Sequence, residues 1–433
     1  MKLSGRMRHL LGAALVAMPL VALITSIAGA VPIFSRKYQT SCSTCHYAFP
    51  QLNAFGKAFQ NNGWRYPGGD ANFRKDEPTS LGSEAYKQVW PNAIWPSDIP
   101  GGAPVAVHAA GTVYMPMNQP DSVAKSSMVF PEHVQVFYAG TLGETFSFFG
   151  EVELQDNGAG GIDVGCPFRL QWNRHTNFNV VVGSLHFDPT PGDFSLIPSD
   201  INVSALASRN GWSAAGEMPG IGLWGAGNGP GGRGGWKYTA GMVQGQGMSP
   251  VGADKDFYAR ATYKVGGLGE IGGTEGAASK TSAFYQDNSA TVGGYVYSGT
   301  VAGAVYSQRE HLDAYAGTAN VWYQSAILDA TVMSMSSKID GLADRKSLAW
   351  YAQGQYVIYP WLIGLLRYES TVLDTGAPSS DPNSETVTTL VPAVVSMVRA
   401  NVKVTLEYRR PLSQYDARKT TEEHLLLRLN FAL

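Results

Sequence analysis

Long runs of alternating apolar and polar residues constrain the fold of this 433-residue chain more than any other feature. In VRANVKVTLEYR, residues 398–409, every second side chain is apolar and the intervening ones are polar. The same alternation runs through residues 145–155, 350–358 and 425–433. Successive side chains of a β-strand point to opposite faces, so each segment is predicted to be a strand with one apolar face.

The predicted strands are longer than those of most soluble proteins. Strands of soluble domains average about five or six residues, whereas a strand that crosses a bilayer at a tilt of about 45° needs about nine to eleven. Trp350, Tyr368 and Tyr408 lie near the ends of apolar faces, where an interfacial girdle of aromatic residues is expected. The pattern favours a membrane-spanning barrel, with a long-stranded soluble β protein as the alternative.

The lengths of the connections indicate an orientation. We predict the first five strands at 104–116, 129–140, 143–154, 167–174 and 178–188, joined by alternately long and short connections. Outer-membrane barrels have short periplasmic turns and long extracellular loops, so the first strand starts in the periplasm and both termini are periplasmic. About 330 residues, at roughly 20 for each strand and connection, predict an all-β fold, a transmembrane antiparallel β-barrel of about 16 strands.

Composition agrees with this class. Charged residues make up 15% of the chain, against about 25% in a typical soluble domain. The formal net charge of −2 gives no electrostatic argument for nucleic acid, and no nucleic-acid partner is expected. Outer-membrane lipid is the partner that the apolar strand faces imply.

The first thirty residues read as an export signal. A basic start precedes an apolar run from Leu10 to Ala28, and small residues follow at Ala28–Ala30. We predict a cleaved signal peptide at 1–30, with an uncleaved anchor as the alternative. The exported chain then divides into a segment at 31–103, which ends in a Pro/Gly-rich linker, and a barrel at 104–433.

Two of the three cysteines lie in the motif Cys42-Ser43-Thr44-Cys45-His46. This C-x-x-C-H spacing is the attachment signature of c-type haem, in which two thiols bind one porphyrin and the following histidine binds its iron. We predict one covalent haem c on Cys42 and Cys45, with His46 as the proximal iron ligand. A zinc site, a thioredoxin-like redox pair and a simple disulfide are the alternatives.

The residues after the motif predict a short helix. Pro50 can begin it, Gly63 can end it, and Leu52, Phe55 and Phe59 then share one face. Phe55 and Phe59 are predicted to pack on the haem. The alternative is that both side chains pack only against protein.

The second axial ligand must come from elsewhere if the iron is six-coordinate. No histidine or methionine lies between His46 and His108. Strand parity turns His108 and His133 toward the barrel lumen, so one of them is predicted to be the distal ligand. The alternatives are a five-coordinate iron, another ligand within the segment, or two histidines that merely line the lumen.

The same parity predicts which other charged residues face the lumen. Nine charged residues are predicted to face the lumen, where some could position the N-terminal segment, while for most of them the favoured alternative is that they solvate a water-filled pore: Glu151, Glu153, Arg169, Arg367, Glu369, Arg399, Lys403, Glu407 and Arg428. The glycine-rich run at 219–235 lacks the Lys-Ser/Thr ending of a phosphate-binding loop, and it is predicted to be a surface loop.

The stretch VPIFSRKYQTSCSTCHYAFPQLNAFGKAFQNNGWRYPGG, followed by a barrel, resembles the fused outer-membrane monohaem cytochrome–porins best known from iron-oxidising bacteria. The resemblance rests on Phe34-Ser35-Arg36-Lys37, on Cys42, Cys45 and His46, and on Pro50 with LNAFGKAF. It covers about forty residues specifically and the barrel only in architecture. One departure is the final Leu433, where such barrels usually end on an aromatic residue; here Phe431 is the aromatic one.

The resemblance implies an outer-membrane electron conduit that holds haem in or against the barrel. Electrons would pass from an extracellular donor, with Fe(II) as the first candidate, to a periplasmic carrier such as a soluble cytochrome c. The chain would then be an electron-transfer protein with Fe(II) oxidation as its candidate activity. The alternative is a transport porin whose haem segment is a plug or sensor and transfers no net electrons.

Overall fold

The computed structural model describes residues 33–75, 79–80, 88, 98–99, 105–117, 126–156, 161–191, 195–245, 255–273, 283–301, 308–374, 385–413 and 423–432. The predicted signal peptide at 1–30 and most of the linker lie outside the described residues. None of the helices in these ranges is long and apolar enough to cross a membrane.

The N-terminal segment, defined here as residues 33–75, consists of short elements. These are α1 Ile33–Tyr38, a 3-10 helix Cys42–Thr44, β1 His46–Ala48, β2 Gln51–Leu52, α2 Ala54–Asn61 and α3 Asp70–Phe73. Two further short strands, β3 Thr79–Ser80 and β4 Asp98–Ile99, pair with each other after it.

The helix predicted after the haem motif starts later than expected. Pro50 and Leu52 belong to the β1–β2 hairpin, and α2 begins only after Asn53, whose side chain accepts a hydrogen bond from the backbone N of Gly56. The Asn53 side chain thus caps the free backbone N–H of Gly56 at the start of the helix. Proline has no side-chain oxygen, so Pro50 could not provide this cap. Gly63 follows the helix end with a φ of 66°, the left-handed backbone expected after a helix.

The rest of the described chain forms a closed antiparallel barrel. Its strands are β5 Val105–Pro116, β6 Ser127–Leu142, β7 Phe146–Asp156, β8 Ile162–Gly165, β9 Phe168–His175, β10 Phe178–His186, β11 Glu217–Asn228, β12 Gly235–Gln244, β13 Lys255–Gly266, β14 Ser289–Val301, β15 Glu310–Tyr323, β16 Ala326–Ile339, β17 Arg345–Tyr359, β18 Leu362–Asp374, β19 Glu385–Arg399, β20 Val402–Ser413 and β21 His424–Ala432. Pairing of β21 with β5 closes the sheet.

The barrel has sixteen strands in effect, which confirms the predicted fold class. Both β8 and β9 pair with β7, one along each half of it. The break between them holds Cys166 and Pro167, and a proline has no N–H to contribute to a ladder. The two segments therefore make one interrupted strand.

Polarity is inverted relative to a soluble protein, as the alternation predicts. On β18, Leu366 is 51% exposed on the outer face while the adjacent Arg367 is fully buried on the inner face. Apolar side chains likewise point outward from neighbouring strands, for example Val394 and Leu406. This is the arrangement of a barrel whose outer face meets lipid and whose interior is polar.

The predictions for the region around Arg399 are wrong. The run at 398–409 is not one strand, because β19 ends at Arg399 and β20 begins at Val402. A register shift near Met397 breaks the alternation there, so Arg399 lies exposed beside the turn and not in the lumen.

The glycine-rich run predicted as a loop is mostly strand β11. A Cβ at Gly225 would lie 2.1 Å from the carbonyl oxygen of Asn177, and one at Gly227 would meet the ring of Trp236. Glycine is needed here because other chain elements approach this strand closely. Only the residues that follow, with a 3-10 helix at Pro230–Gly232, form a loop.

A long connection folds into the lumen. The short turns after β6, β9, β15, β17 and β19 define what we call the short-turn end of the barrel, and the opposite end is the long-loop end. The connection from β10 to β11 leaves the long-loop end, and its residues 187–191 and 195–216 are called the inner loop. Leu196, Ile197 and Trp212 of this loop are buried.

Buried charges on the barrel wall hold the inner loop. The carboxylate of Glu310 accepts hydrogen bonds from Ser208 Oγ at 2.8 Å and from the backbone N of Arg209 and Asn210 at 3.0 and 2.7 Å. Arg367 donates to Ser199 Oγ at 2.6 Å. The lumenal charges thus have partners within the barrel, which buried charges require.

We expect Glu310→Ala to loosen the inner loop without opening the barrel. The change leaves a hydroxyl and two buried N–H groups without an acceptor, which costs about 3 kcal/mol locally, and this raises the open population roughly 100-fold. Protease cleavage within 195–216 of the folded protein measures that population. Asp313→Ala on the same strand is the matched control and should cleave at the wild-type rate. Equal cleavage in the two variants would contradict the assignment.

Candidate functional site

The N-terminal segment lies in the short-turn end of the barrel. Arg36 donates to the carbonyl oxygen of Val105 at 2.5 Å, and Arg65 donates to that of Phe146 at 2.5 Å. Lys37 Nζ lies 3.1 Å from Thr141 Oγ1. These bonds attach the segment to β5 and to the β6–β7 turn.

The opposite side of the segment is held by an unusually long connection at the short-turn end. Residues 267–273 begin the connection from β13 to β14. Asn61 donates to the carboxylate of Glu270 at 2.8 Å, and Asn62 donates to the carbonyl oxygen of Ile271 at 2.9 Å. The 267–273 connection, which is longer than the other turns at this end, therefore binds the end of helix α2.

An ion pair braces the segment internally. Lys37 Nζ lies 2.9 Å from the carboxylate of Asp70, which also accepts from the Tyr38 hydroxyl. Burial alone would raise the pKa of Asp70, but the Lys37 charge and the hydrogen bonds from Tyr38 and Tyr66 hold that pKa below its ordinary value. The carboxylate is therefore charged at neutral pH, and the pair ties α1 to α3.

The haem motif is held in a fixed turn. Asn53 donates to the carbonyl oxygens of Ser43 and Thr44, both at 3.1 Å. Its own backbone N donates to the carbonyl oxygen of Cys45 at 2.9 Å. A Cβ at Gly56 would lie 2.1 Å from that same oxygen, so α2 approaches the motif only because residue 56 is glycine.

His46 is oriented as a metal-ligating imidazole would be. Its Nδ1 lies 3.0 Å from the carbonyl oxygen of Pro50, so Nδ1–H donates and Nε2 keeps the lone pair. Burial lowers the pKa of His46, against the opposing effect of the Pro50 and Gln51 backbone. The ring is therefore neutral at physiological pH, the state that binds a metal.

The environment of the cysteines disfavours a thioredoxin-like pair. Burial, with Cys42 alongside, raises the pKa of the Cys45 thiol to about 12, whereas a redox-active pair needs a lowered pKa. Cys42, Cys45 and Cys166 are all free. Within the described ranges, no group of three or more His, Cys, Asp or Glu side chains could hold a metal ion.

One large cavity brings the predicted residues together. Its volume is about 1270 Å³, larger than the range of about 300–1,000 Å³ typical of small-molecule sites. Predicted site residues in its lining are Cys42, Cys45, His46, Phe55, Phe59, His108 and His133. Ile197 and Ile201 of the inner loop line it as well. Three parts of the chain thus enclose one space.

Phe55 and Phe59 face this cavity and also pack against protein. The ring of Phe59 lies edge-on to Phe34 and Tyr38, with centroids 5.0 and 5.7 Å apart. Phe55 contacts Tyr66 at 5.0 Å. The positions of Phe55 and Phe59 therefore allow either predicted role, packing on a haem in the cavity or packing only against protein.

His108 and His133 are neighbours on β5 and β6, with ring centroids 5.0 Å apart. His108 Nδ1 lies 2.8 Å from Gln135 Oε1, while its Nε2 is buried and has no hydrogen-bond partner. Arg428 donates to Nδ1 of His133 at 2.8 Å. Phe49 contacts His46 and His108, at centroid distances of 5.7 and 5.3 Å.

The charges that do face the lumen have two roles, and Lys403 has both, since it lines the cavity and donates to the carbonyl oxygen of Leu196 in the inner loop. Glu151, Glu153 and Arg169 line the cavity, as expected for residues near the N-terminal segment. Glu369 and Glu407 instead accept backbone hydrogen bonds from the inner loop. The sequence reasoning missed this second role because it did not place the inner loop in the lumen.

Comparisons with known proteins support the barrel alone. No family model and no curated protein matches the chain. Among solved structures, a loop-deletion mutant of OmpT, an outer membrane protein of Vibrio cholerae, matches with a TM-score of 0.51 and 10% identity. The anion-selective porin from Comamonas acidovorans matches with a TM-score of 0.52 and 10% identity. Each match covers 76% of this chain and 98% of the other. At this identity the likeness shows the fold, and the fold is a porin-like β-barrel.

Proposed function

We propose that this chain is an outer-membrane electron conduit. A c-type haem attached to Cys42 and Cys45, and ligated by His46, would be held inside the porin-like barrel. It would accept electrons from an extracellular donor, Fe(II) in the first instance, and deliver them to a periplasmic carrier such as a soluble cytochrome c. The observation that carries this proposal is the position of the C-x-x-C-H motif, which lines a large cavity inside the lumen.

The residues present fit the group. Both cysteine side chains line the same cavity as the His46 ring, whose Nδ1 is engaged by Pro50 and whose Nε2 keeps its lone pair. Phe55 and Phe59 supply apolar lining. When bound, haem supplies a one-electron Fe(III)/Fe(II) couple whose potential depends on its second ligand and its burial.

The chain itself sets the depth and the surroundings of the site. The N-terminal segment is made of helices too short to cross a bilayer, so the barrel has to carry it there. Arg36, Arg65 and the 267–273 connection fix it at the short-turn end, which is periplasmic in outer-membrane barrels. A soluble carrier would reach the haem from this end, which is the end that holds the N-terminal segment.

The inner loop closes the cavity on its other side. Ile197 and Ile201 line the cavity from the direction of the long-loop end. These two side chains add apolar surface to a lining that the inner loop otherwise shares with polar residues such as Asp200 and Ser204. Electron transfer at a surface also suits Fe(II) as donor, because the Fe(III) formed is insoluble near neutral pH and cannot be taken inside.

The first test is covalent attachment. We expect the wild-type chain, expressed with a c-type maturation system, to carry one haem that survives denaturing electrophoresis. Cys42→Ser with Cys45→Ser should give a folded barrel without that haem, since the thiols that form its bonds are gone. Cys166→Ser is the matched control and should keep the haem. A haem-free wild type under these conditions would overturn the proposal.

The second test concerns the donor. Excess Fe(II) at neutral pH should reduce the haem of the purified protein, as read from its visible spectrum. Dithionite sets the fully reduced endpoint. A haem that dithionite reduces and Fe(II) leaves oxidised would exclude Fe(II) as donor and leave the attachment intact.

A second candidate function is a transport porin with a haem-bearing plug or sensor, and the porin-like fold favours it. The two candidates differ in whether solutes pass. In planar bilayers we expect the intact protein to conduct ions poorly, because the N-terminal segment and the inner loop occupy the lumen from opposite ends. A large, steadily open conductance of haem-loaded protein would favour the porin.

A further inference from the structure

We infer that His108 on strand β5 is the second axial ligand of the haem iron, and that Gln135 positions it. This inference rests on the proposed function, because it requires a haem on Cys42 and Cys45. It selects His108 over His133, whereas strand parity in the sequence makes both histidines equally good candidates for the distal ligand.

The hydrogen bonds of Gln135 fix the proton of His108. Gln135 Nε2 lies 3.4 Å from carboxylate oxygens of both Glu151 and Glu153, and carboxylates only accept hydrogen bonds. The amide nitrogen therefore faces the two glutamates, and Oε1 faces His108 at 2.8 Å. Because an amide oxygen also only accepts, the His108 proton lies on Nδ1.

The lone pair on the other ring nitrogen of His108 is then free to bind a metal. Its Nε2 carries the lone pair and has no hydrogen-bond partner. This atom is also shielded from solvent, since only 6% of the residue is exposed. A buried polar atom without a partner costs free energy. An imidazole that donates from one nitrogen and leaves the other free is the usual form of a metal-bound histidine.

His108 also lies next to the haem motif. It lines the same cavity as Cys42, Cys45 and His46. One phenyl ring, that of Phe49, contacts both His46 and His108. The two imidazoles thus reach the cavity from different parts of the chain, with the Phe49 ring in contact with both, and both would be available to hold a haem iron bound there.

His133 lacks these features. The Arg428 guanidinium donates to its Nδ1 at 2.8 Å, so the lone pair of the neutral ring is already engaged. Its Nε2 lies 3.3 Å from Nδ1 of His108, which is a longer contact than the 2.8 Å from that atom to Gln135. The shorter contact sets the tautomer of His108. The 3.3 Å contact then joins two N–H groups, so it is not a hydrogen bond and His133 does not position the His108 ring.

Spectroscopy of the holoprotein tests the ligand. Wild type should be low-spin by paramagnetic resonance and by its visible spectrum. His108→Gly should be high-spin and return to low-spin on addition of imidazole, and His108→Met should be six-coordinate with a raised midpoint potential. His133→Gln, the matched lumenal control, should stay low-spin without imidazole. Heat-modifiable migration in electrophoresis checks that each barrel is folded.

The potential tests the positioning role. Gln135→Glu should lower the midpoint potential, because a carboxylate that accepts from Nδ1–H makes the ligand more basic. Gln171→Glu adds the same charge to the cavity lining without a contact to His108, and its shift should be clearly smaller. Equal shifts in the two variants would overturn the positioning role of Gln135.

The outcomes separate the two levels of the proposal. A covalent haem whose low-spin spectrum is unchanged in His108→Gly overturns His108 as ligand and leaves the proposed function standing. A wild type that is high-spin does the same. A wild type with no covalent haem overturns both.

Discussion

Closure of the barrel is the constraint on which the remaining architecture depends. Lipid offers no hydrogen bonds, so every backbone N–H and C=O of a spanning sheet must be paired, and pairing of β21 with β5 removes the last free edges. Closure forces the polar faces of all strands inward and creates a lumen lined by charges such as Arg367 and Glu369. These charges need partners. Wall residues supply some of them, as Arg367 and Glu369 pair with each other, and the inner loop, which occupies part of the lumen, supplies others.

The second occupant enters from the other end and makes the site composite. The N-terminal segment brings two thiols and one oriented imidazole, but it has no second imidazole of its own. The barrel brings His108 with a vacant ring nitrogen, and the inner loop brings part of the lining, including Ile197 and Ile201. None of the three encloses a cavity alone. The long 267–273 connection is explained by this arrangement, since it binds the helix that carries Phe55 and Phe59.

Sequence reasoning succeeds where one local rule decides and fails where distant contacts decide. Period-two alternation predicts the strands and the inward direction of His108 and His133, because burial follows directly from parity. The same rule misplaces Arg399, where a register shift interrupts the ladder. The glycines of β11 look like a loop because their neighbours, Asn177 and Trp236, are not adjacent in sequence. The inner loop is invisible for the same reason, since its partner Glu310 lies about a hundred residues away.

The packing in the lumen bears on the choice between moving solutes and moving electrons. A solute path through the space that the inner loop occupies requires the loop to leave the wall. The carboxylate of Glu310 would then lose its hydrogen-bond donors, and Arg367 would lose Ser199 and keep only its ion pair with Glu369. Removing one partner from a buried charge costs about 3–5 kcal/mol, so such an opening would be rarely populated in the absence of a ligand that compensates for it. Electron transfer requires no opening at all. It benefits from a fixed geometry, and the same buried hydrogen bonds support one. The interactions that would oppose a porin are therefore those that an electron conduit needs.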